Sequence, residues 1–447
     1  MQYELVIIGA GPGGYAACLK GAKNGLKTAL IEAGSLGGTC LNRGCIPTKL
    51  FLGATEPIAG LKAQQRLRLA SGEIKIDLKK LQQRKKSLVS ATHKAMAASL
   101  KKLGVDLISG QARLLNSSTL EVFGEDKLNI KFDRLIIATG SKNADLPGLK
   151  PDHKNILDSN DILDLESVPE TLAVIGAGAI GIELGQFFSR LGSKIFLIEA
   201  KDRIVPTEDP EISRELEKIL KREKWVIKTK TLVQKLESSA DGVSLHLPDE
   251  EIQVDKCLVA IGRKPNSENL GLDSANIETF GPGWIKTNDY LQAAPNIYAI
   301  GDVNGLTLLA HAASDQGEYC IDHIMGHNKK PYPQNPVPAC IYGSPEIIRA
   351  GLNTSQLEAQ GKQFTVTKAN LIANPIAQAH GAGHGLIKVF WSEDRVVGIS
   401  AIGHNVSHLI TLAQIIVDQA WTREEVSKHI FAHPTLDESL KEALLNV

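Results

Sequence analysis

Cys40 and Cys45, with four residues between them, sit in the stretch GGTCLNRGCIPTK from Gly37 to Lys49. Thiols at that spacing can close a disulfide across a turn, or across the first turn of a helix. Thr39 is a candidate helix N-cap, and the glycines ahead of it let backbone approach a bound group closely. The positive end of a helix favours a thiolate, the form that exchanges with disulfides. Reversible thiol–disulfide chemistry is therefore the reading this stretch favours. A structural staple and a zinc half-site compete with it, although zinc ligands come as closely spaced pairs and staples belong to secreted proteins. Cys18, Cys257, Cys320 and Cys340 lie among apolar neighbours and read as buried, inert thiols. No metal site is expected.

The whole chain frames this choice. Its 447 residues call for two to four domains, and 43% hydrophobic with 22% charged residues is a globular composition. Fifty basic residues balance fifty acidic ones, so no net field recruits nucleic acid or an anionic membrane. The opening MQYELVIIGAG enters an apolar strand at once, unlike a signal peptide, and no apolar run approaches the ~20 residues of a membrane span. The expectation is a cytoplasmic chain, where a cycling disulfide is more plausible than a lasting one.

Two glycine-rich turns are the elements that would position such chemistry. Leu5-Val6-Ile7-Ile8 reads as a strand buried on both faces, followed by Gly9, Gly11 and Gly14, a helix from Tyr15 to about Lys23, and the strand Thr28 to Ile31 ending at Glu32. Strand, Gly-x-Gly-x-x-Gly, helix, strand and acid form the dinucleotide fingerprint in its proper context. The pattern recurs as Leu172 to Ile175, then Gly176, Gly178, Ile180 and Gly181, a helix, the strand Lys194 to Ile198, and Glu199. Both landmarks are displaced by 167 residues (176 − 9 and 199 − 32). Two units mean two dinucleotides. Glu199 stands where a ribose 2′-hydroxyl would be, which favours NAD over NADP, with Arg203 four residues on.

Other landmarks follow in order. Leu78 to about Leu103 carries a helical apolar stripe of Leu78, Leu81, Leu88, Val89, Met96, Leu100 and Leu103; Lys79, Lys80, Arg84, Lys85 and Lys86 read as its solvated face. Leu135 to Gly140 is a buried strand and turn, Leu146 to Gly148 a boundary, and Asp241-Gly242 a hairpin turn. Strands at Cys257 to Ile261 and Asn296 to Ile300 precede a helix opening at Leu309 to His311, and PYPQNPVP, Pro331 to Pro338, reads as a domain junction. Strands near Gly385 to Phe390 and Val396 to Ile402 lead to a helix around His408 to Gln419, then His433-Pro-Thr-Leu-Asp-Glu438 and a terminal helix.

Taken together, GGTCLNRGCIPTK, both fingerprints, ATG at Ala138 to Gly140, AIGRKPN at Ala260 to Asn266, Gly301-Asp302, Leu309 to His311 and HPTLDE resemble the pyridine nucleotide–disulfide oxidoreductases over essentially the whole chain. Within that family the dihydrolipoamide dehydrogenases are the most similar. The resemblance implies an α/β fold: two dinucleotide-binding, Rossmann-like domains for FAD and NAD plus a C-terminal α+β dimerisation domain. The expected boundaries are 1–145 for FAD, 146–267 for NAD, 268–333 for a central segment returning to the FAD domain, and 334–447 for the interface domain.

It also implies roles. FAD would be held by Gly9, Gly11, Gly14, Glu32, Gly38, Thr39, Lys49, Ala112, Thr139, Gly140, Asp302, Ala310 and His311. NAD would lie against Gly176, Gly178, Ile180, Gly181, Glu199, Ala260, Gly262 and Arg263. Cys45 would face the flavin, Cys40 would exchange with substrate, and Lys49 would pair with Glu183. His433 would act as acid and base, oriented by Glu438, in a site shared across a homodimer. His93, His153, His246, His323, His327 and His429 read as surface or satisfied core residues. The implied reaction oxidises dihydrolipoamide on a lipoyl-bearing protein, of a 2-oxoacid dehydrogenase or glycine cleavage complex, with NAD. A related disulfide reductase, a non-catalytic docking dimer and a flavin monooxygenase are the alternatives. Arg43, Phe431 and His408 depart from the common family pattern, each where it could reshape the substrate mouth or the dimer rim.

Overall fold

A computed structural model describes residues 1–124, 127–333 and 336–446. Positions 334 and 335, at the expected start of the interface domain and inside the proline-rich junction, lie outside the described residues. The chain divides into two compact units: Met1–Pro47, Gln83–Ala144 and Arg263–Gln334 in the first; Thr48–Gln82, Asp145–Gly262 and Asn335–Val447 in the second. Arg263–Pro265 pairs antiparallel with Ser141–Asn143, which carries those residues into the first unit.

In the first unit, β1 (Gln2–Ile8) leads through a glycine turn into α1 (Pro12–Lys23) and returns as β2 (Thr28–Glu32). Pro12 sits at the first helical position, where its missing N–H costs nothing. The parallel core of the sheet runs Ile297–Ala299, Lys127–Ile137, β1, β2, Asp106–Ser109. Val6, Ile7 and Leu30 are fully buried, as a strand covered on both faces requires. Each such side chain contributes about 1.5–3 kcal/mol by leaving water.

The second unit repeats the plan. Five parallel strands run in the order Val226–Lys228, Lys194–Ile198, Thr171–Ile175, Lys256–Val259, Ile156–Leu157. Its C-terminal part is a five-stranded antiparallel sheet, Ala339–Ile341 through Thr365–Asn370, with helices Ile410–Asp418 and Asp437–Leu445 in its core cluster.

Several local expectations are corrected. The cysteine stretch forms two helices, α2 (Gly38–Arg43) and α3 (Cys45–Arg66), and the residue that caps α2 is Gly37, so Thr39 is inside the helix rather than its N-cap. α4 spans Leu78–Lys102. On it Lys85 is buried to 6% exposure instead of solvated, while Leu88, Val89 and Met96 are only half-buried. The hairpin turn is Ala240-Asp241, because Ser239 faces Gly242 across the ladder. Cys18, Cys257 and Cys320 are buried, and burial pushes their thiols upward; Cys340 is half-buried, lifted to about 11 by the same cause.

Candidate active site

The first glycine turn and the cysteine stretch are in direct contact. Gly37 N–H donates to Ala10 O at 2.8 Å, and a Cβ added at Gly38 would lie 2.8 Å from Gly11 Cα. Cys40 is thereby held on α2 against the turn. Cys45 is the first residue of α3, at the positive end of a 22-residue helix, where a thiolate is favoured. Both cysteines are half-buried. Lys49 follows one turn further along the same helix.

The turn itself is shaped for a phosphate-bearing ligand. A Cβ on Gly14 would run into Gly9 O, while Gly11 and Gly140 have open space where a side chain would be. Glu32 braces the loop: Oε2 accepts Ala10 N–H at 2.6 Å and Oε1 accepts Gly34 N–H at 2.7 Å. Thr139 Oγ1 is buried with no hydrogen-bond partner among the described residues, an orphan that a bound ligand would satisfy. Ser141 Oγ donates to Asp302 Oδ2. The helix Ala310–Ile324 begins at Ala310 and His311, and Ala112 is buried on the strand Gln111–Asn116. Open glycine faces, an exposed helix start and an orphaned hydroxyl fit a dinucleotide.

In the second unit the arrangement recurs. A Cβ on Gly181 would run into Gly176 O, Gly178 faces open space, and Glu199 accepts Ala177 N–H and Lys201 N–H at 2.8 Å each. Ile180 lies in the first turn of α5 (Ala179–Arg190), and Ala260 N–H donates to Ile175 O at 2.8 Å. Gly262 also has open space at its α-carbon. Arg263 is committed elsewhere: its guanidinium donates to Ser141 Oγ and Ser141 O at 2.7 Å and to Asn143 Oδ1 at 3.0 Å, with Asp302 3.9 Å away. All of these partners belong to the first unit.

Lys49 Nζ lies 2.7 Å from Glu183 Oε2, with the glutamate side chain 6% exposed. Glu183 Oε1 also accepts Tyr342 N–H at 3.0 Å. His433 Nδ1 and Glu438 Oε1 are 2.9 Å apart, and Thr435 N–H donates to Glu438 Oε2 at 3.1 Å. The His433 hydrogen bond, then the Thr435 N–H, holds the Glu438 carboxyl below its usual range. An ionised Glu438 accepts the Nδ1 proton and leaves Nε2 as the basic nitrogen. The His433 ring is 72% exposed. Arg43 and His408 are exposed, and Phe431 is half-buried with Lys441 Nζ 5.4 Å from its ring centre. Of the histidines read as bystanders, His93 bonds Asn42, His153 bonds Asp161, His246 bonds Glu237 and His323 bonds Tyr298.

Sequence reasoning missed Ser141, Gln186 and Tyr342. Asn266, the last residue of the quoted AIGRKPN run, ties the first unit by donating to Thr139 O and Gly140 O, partners distant in sequence. Gln186 and Tyr342 carry no local signal at all.

The chain belongs to the pyridine nucleotide–disulfide oxidoreductase family: residues 3–317 match the model "Pyridine nucleotide-disulphide oxidoreductase", and residues 337–444 match its dimerisation domain. Dihydrolipoyl dehydrogenase from Bacillus subtilis is 35% identical, covering 99% of this chain and 98% of its own. The Thermus scotoductus dihydrolipoyl dehydrogenase is 38% identical, covering 99% and 96%. Among solved structures, LpdA from Mycobacterium tuberculosis superposes with a TM-score of 0.91 at 26% identity, and a Cu(II) complex of the HOCl-induced flavoprotein disulfide reductase RclA from Escherichia coli with 0.89 at 27%, each covering 99% of both chains. FAD and NAD are the cofactors of this family. No helix among the described residues is long and apolar enough to cross a membrane.

Proposed function

We propose that this chain is an FAD-dependent dihydrolipoyl dehydrogenase: it oxidises dihydrolipoamide carried on a separate lipoyl-bearing protein and passes the electrons to NAD, as a cytoplasmic homodimer. The observation that carries the reading is the seating of the Cys40 helix directly on the first glycine turn, through Gly37 and Gly38. That contact supports a reading in which thiol chemistry works beside a dinucleotide. Bound FAD supplies a two-electron store between the dithiol and NAD.

The protein's own groups account for the thiol steps. With Cys40 and Cys45 joined, His433 Nε2 takes the proton of a substrate thiol, and the resulting thiolate attacks Cys40 Sγ. The Cys40–Cys45 bond breaks and Cys45 leaves as a thiolate at its helix N-terminus. The second substrate thiol then attacks the substrate sulfur of that mixed disulfide and displaces Cys40. The imidazolium returns its proton to the Cys40 thiolate and the imidazole takes up the proton of the second thiol, closing the substrate disulfide and leaving the protein sulfurs reduced. Two electrons have moved from substrate sulfur to protein sulfur. Glu438 keeps the imidazole oriented and stabilises its charged form. An exposed His433 on the part that matches a dimerisation domain supports its use by the partner subunit. Glu199, only 9% exposed and already braced by two amides, supports NAD over NADP, since a 2′-phosphate there would meet a carboxylate.

The test compares turnover of NAD plus dihydrolipoamide with NADPH plus glutathione disulfide. Preference for the first pair is expected; the reverse preference overturns the substrate. His433→Ala should lower dithiol turnover about 100-fold, the scale of a lost acid–base group. Mixing His433→Ala with Cys45→Ser subunits should restore activity, because a mixed dimer contains one complete shared site. No recovery in verified mixed dimers would place both groups on one subunit. Arg43, exposed at the end of the Cys40 helix, favours a second reading in which a different, anionic disulfide is reduced.

A further inference from the structure

The loop between the strands Ala339–Ile341 and Glu346–Gly351 is fastened to α5 through backbone groups. Tyr342 N–H donates to Glu183 Oε1 at 3.0 Å, and Ser344 N–H donates to Gln186 Oε1 at 2.6 Å. Between them Gly343, at φ +140°, lies so close to the Gln186 amide that a Cβ would collide with it. The fastening fixes where the Tyr342 ring points. Lys49 Nζ stands 4.6 Å from the centre of that ring while it is 2.7 Å from Glu183 Oε2.

The ammonium thus has two anchors of different kinds, a carboxylate and a π-face. A carboxylate alone leaves a flexible lysine free to swing about its oxygen, whereas an aromatic face within about 6 Å adds attraction from a second direction. Burial, before other causes, lifts the Tyr342 phenol to about 12. The ring facing Lys49 is therefore a neutral phenol.

We propose that Tyr342 is a positioning residue, whose ring face holds the Lys49 ammonium on Glu183 and so fixes the direction in which that positive charge acts on the redox centre. The inference rests on the reading of Lys49 as a residue beside the bound flavin. A cation held in place favours the reduced, more negative state of that centre, so loosening it lowers the centre's potential.

Fluorinated phenylalanines at position 342 test this without altering shape, because each fluorine weakens the negative ring face while leaving the backbone bond to Glu183 intact. The purified holoenzyme carries phenylalanine there, or its 4-fluoro, 3,5-difluoro or 3,4,5-trifluoro derivative. Two quantities are read: acylation of Lys49 by a small amine-reactive ester, followed by mass spectrometry, and the flavin midpoint potential by dye equilibration. The unfluorinated variant, Tyr342→Phe, should stay near the wild type. Lys49 acylation should rise stepwise with fluorine number, reaching about threefold to tenfold, the range implied by an exposed to partly buried cation–π contact. The potential should fall in the same order. A flat series in both readouts overturns the proposal, since a purely structural ring would be indifferent to fluorine. The two claims separate cleanly. A graded series in an enzyme that ignores dihydrolipoamide sinks the substrate reading alone, and a flat series with normal dihydrolipoamide turnover sinks the role of Tyr342 alone.

Discussion

The two glycine turns solve the same problem with the same backbone, and they part company one segment later. In each, an acid at the end of the second strand braces the turn, Glu32 on Ala10 N–H and Glu199 on Ala177 N–H. In each, the carbonyl of that braced residue accepts one more bond from the segment that follows: Gly37 N–H to Ala10 O, and Val205 N–H to Ala177 O, both at 2.8 Å. Gly37 has φ +86° and Val205 has φ +37°. A β-branched residue at positive φ is strained by about 1–3 kcal/mol, and Val205, 1% exposed beside fully buried Ile204, is held there by packing. Beyond this point the first copy turns into Gly38-Thr39-Cys40 and the helix bearing the thiol. The second turns into Pro206-Thr207-Glu208-Asp209, whose acids bind Arg349 and Lys388 of the antiparallel part. The same strand–turn–helix–strand scaffold thus continues differently, into the cysteine helix in one copy and into ion pairs with the antiparallel sheet in the other.

Removing what each segment gained should break the comparison most forcefully. Cys45→Ser leaves the first copy as a ligand seat without exchange chemistry. Dihydrolipoamide turnover should fall by about 10⁴-fold or more, as expected when one member of a concerted pair is lost. Flavin should stay bound, and the long-wavelength absorption given by a thiolate beside it on reduction should vanish. Retained turnover would remove Cys45 from the reaction.

The corresponding loss in the second copy is mechanical. Asp209 is fully buried and accepts from Lys388 Nζ at 2.7 Å, Thr354 Oγ1 at 2.6 Å and Glu211 N–H at 2.9 Å. Lys388→Met should cost about 3–5 kcal/mol in denaturant unfolding, the penalty for leaving a buried charge unpaired. Asp209 also predicts a pH dependence. Burial would raise its pKa, but the Lys388 and Thr354 bonds outweigh burial and hold it below the ordinary value. A depressed folded pKa contributes stability that is complete above the unfolded value near 4 and is lost as pH falls through the folded one. Wild-type stability should therefore drop below about pH 4, and Asp209→Asn should flatten part of that drop.

Repetition made the scaffold legible from sequence: Gly9 to Glu32 and Gly176 to Glu199 announce strand, turn, helix and acid at fixed spacing, and such contacts are local. The parallel strand runs were legible for the same reason, since Leu5 to Ile8 and Leu172 to Ile175 are apolar throughout. What escaped was set by contacts between distant segments. Thr39 is a good capping residue by type, yet the approach of Gly38 to Gly11 starts the helix earlier. Arg263 follows the second fingerprint in order but bonds Ser141, and Tyr342 meets Lys49 only because Gln186 and Glu183 hold its loop. No local periodicity encodes those meetings.

The smallest effect expected is also the one that separates the copies as seats. A Cβ at Gly14 would run into Gly9 O, and one at Gly181 into Gly176 O. Each alanine substitution therefore pushes its helix start away from its turn, an overpacking strain of about 1–3 kcal/mol. If that strain falls on the bound dinucleotide, binding weakens about 5- to 150-fold, but different dinucleotides should respond. Gly14→Ala should release yellow flavin on gel filtration and leave NAD binding to the remaining holoenzyme unchanged. Gly181→Ala should keep its flavin and raise the KM for NAD. Flavin loss from Gly181→Ala, or an NAD effect confined to Gly14→Ala, would reverse the assignment of the two seats while leaving the duplication intact.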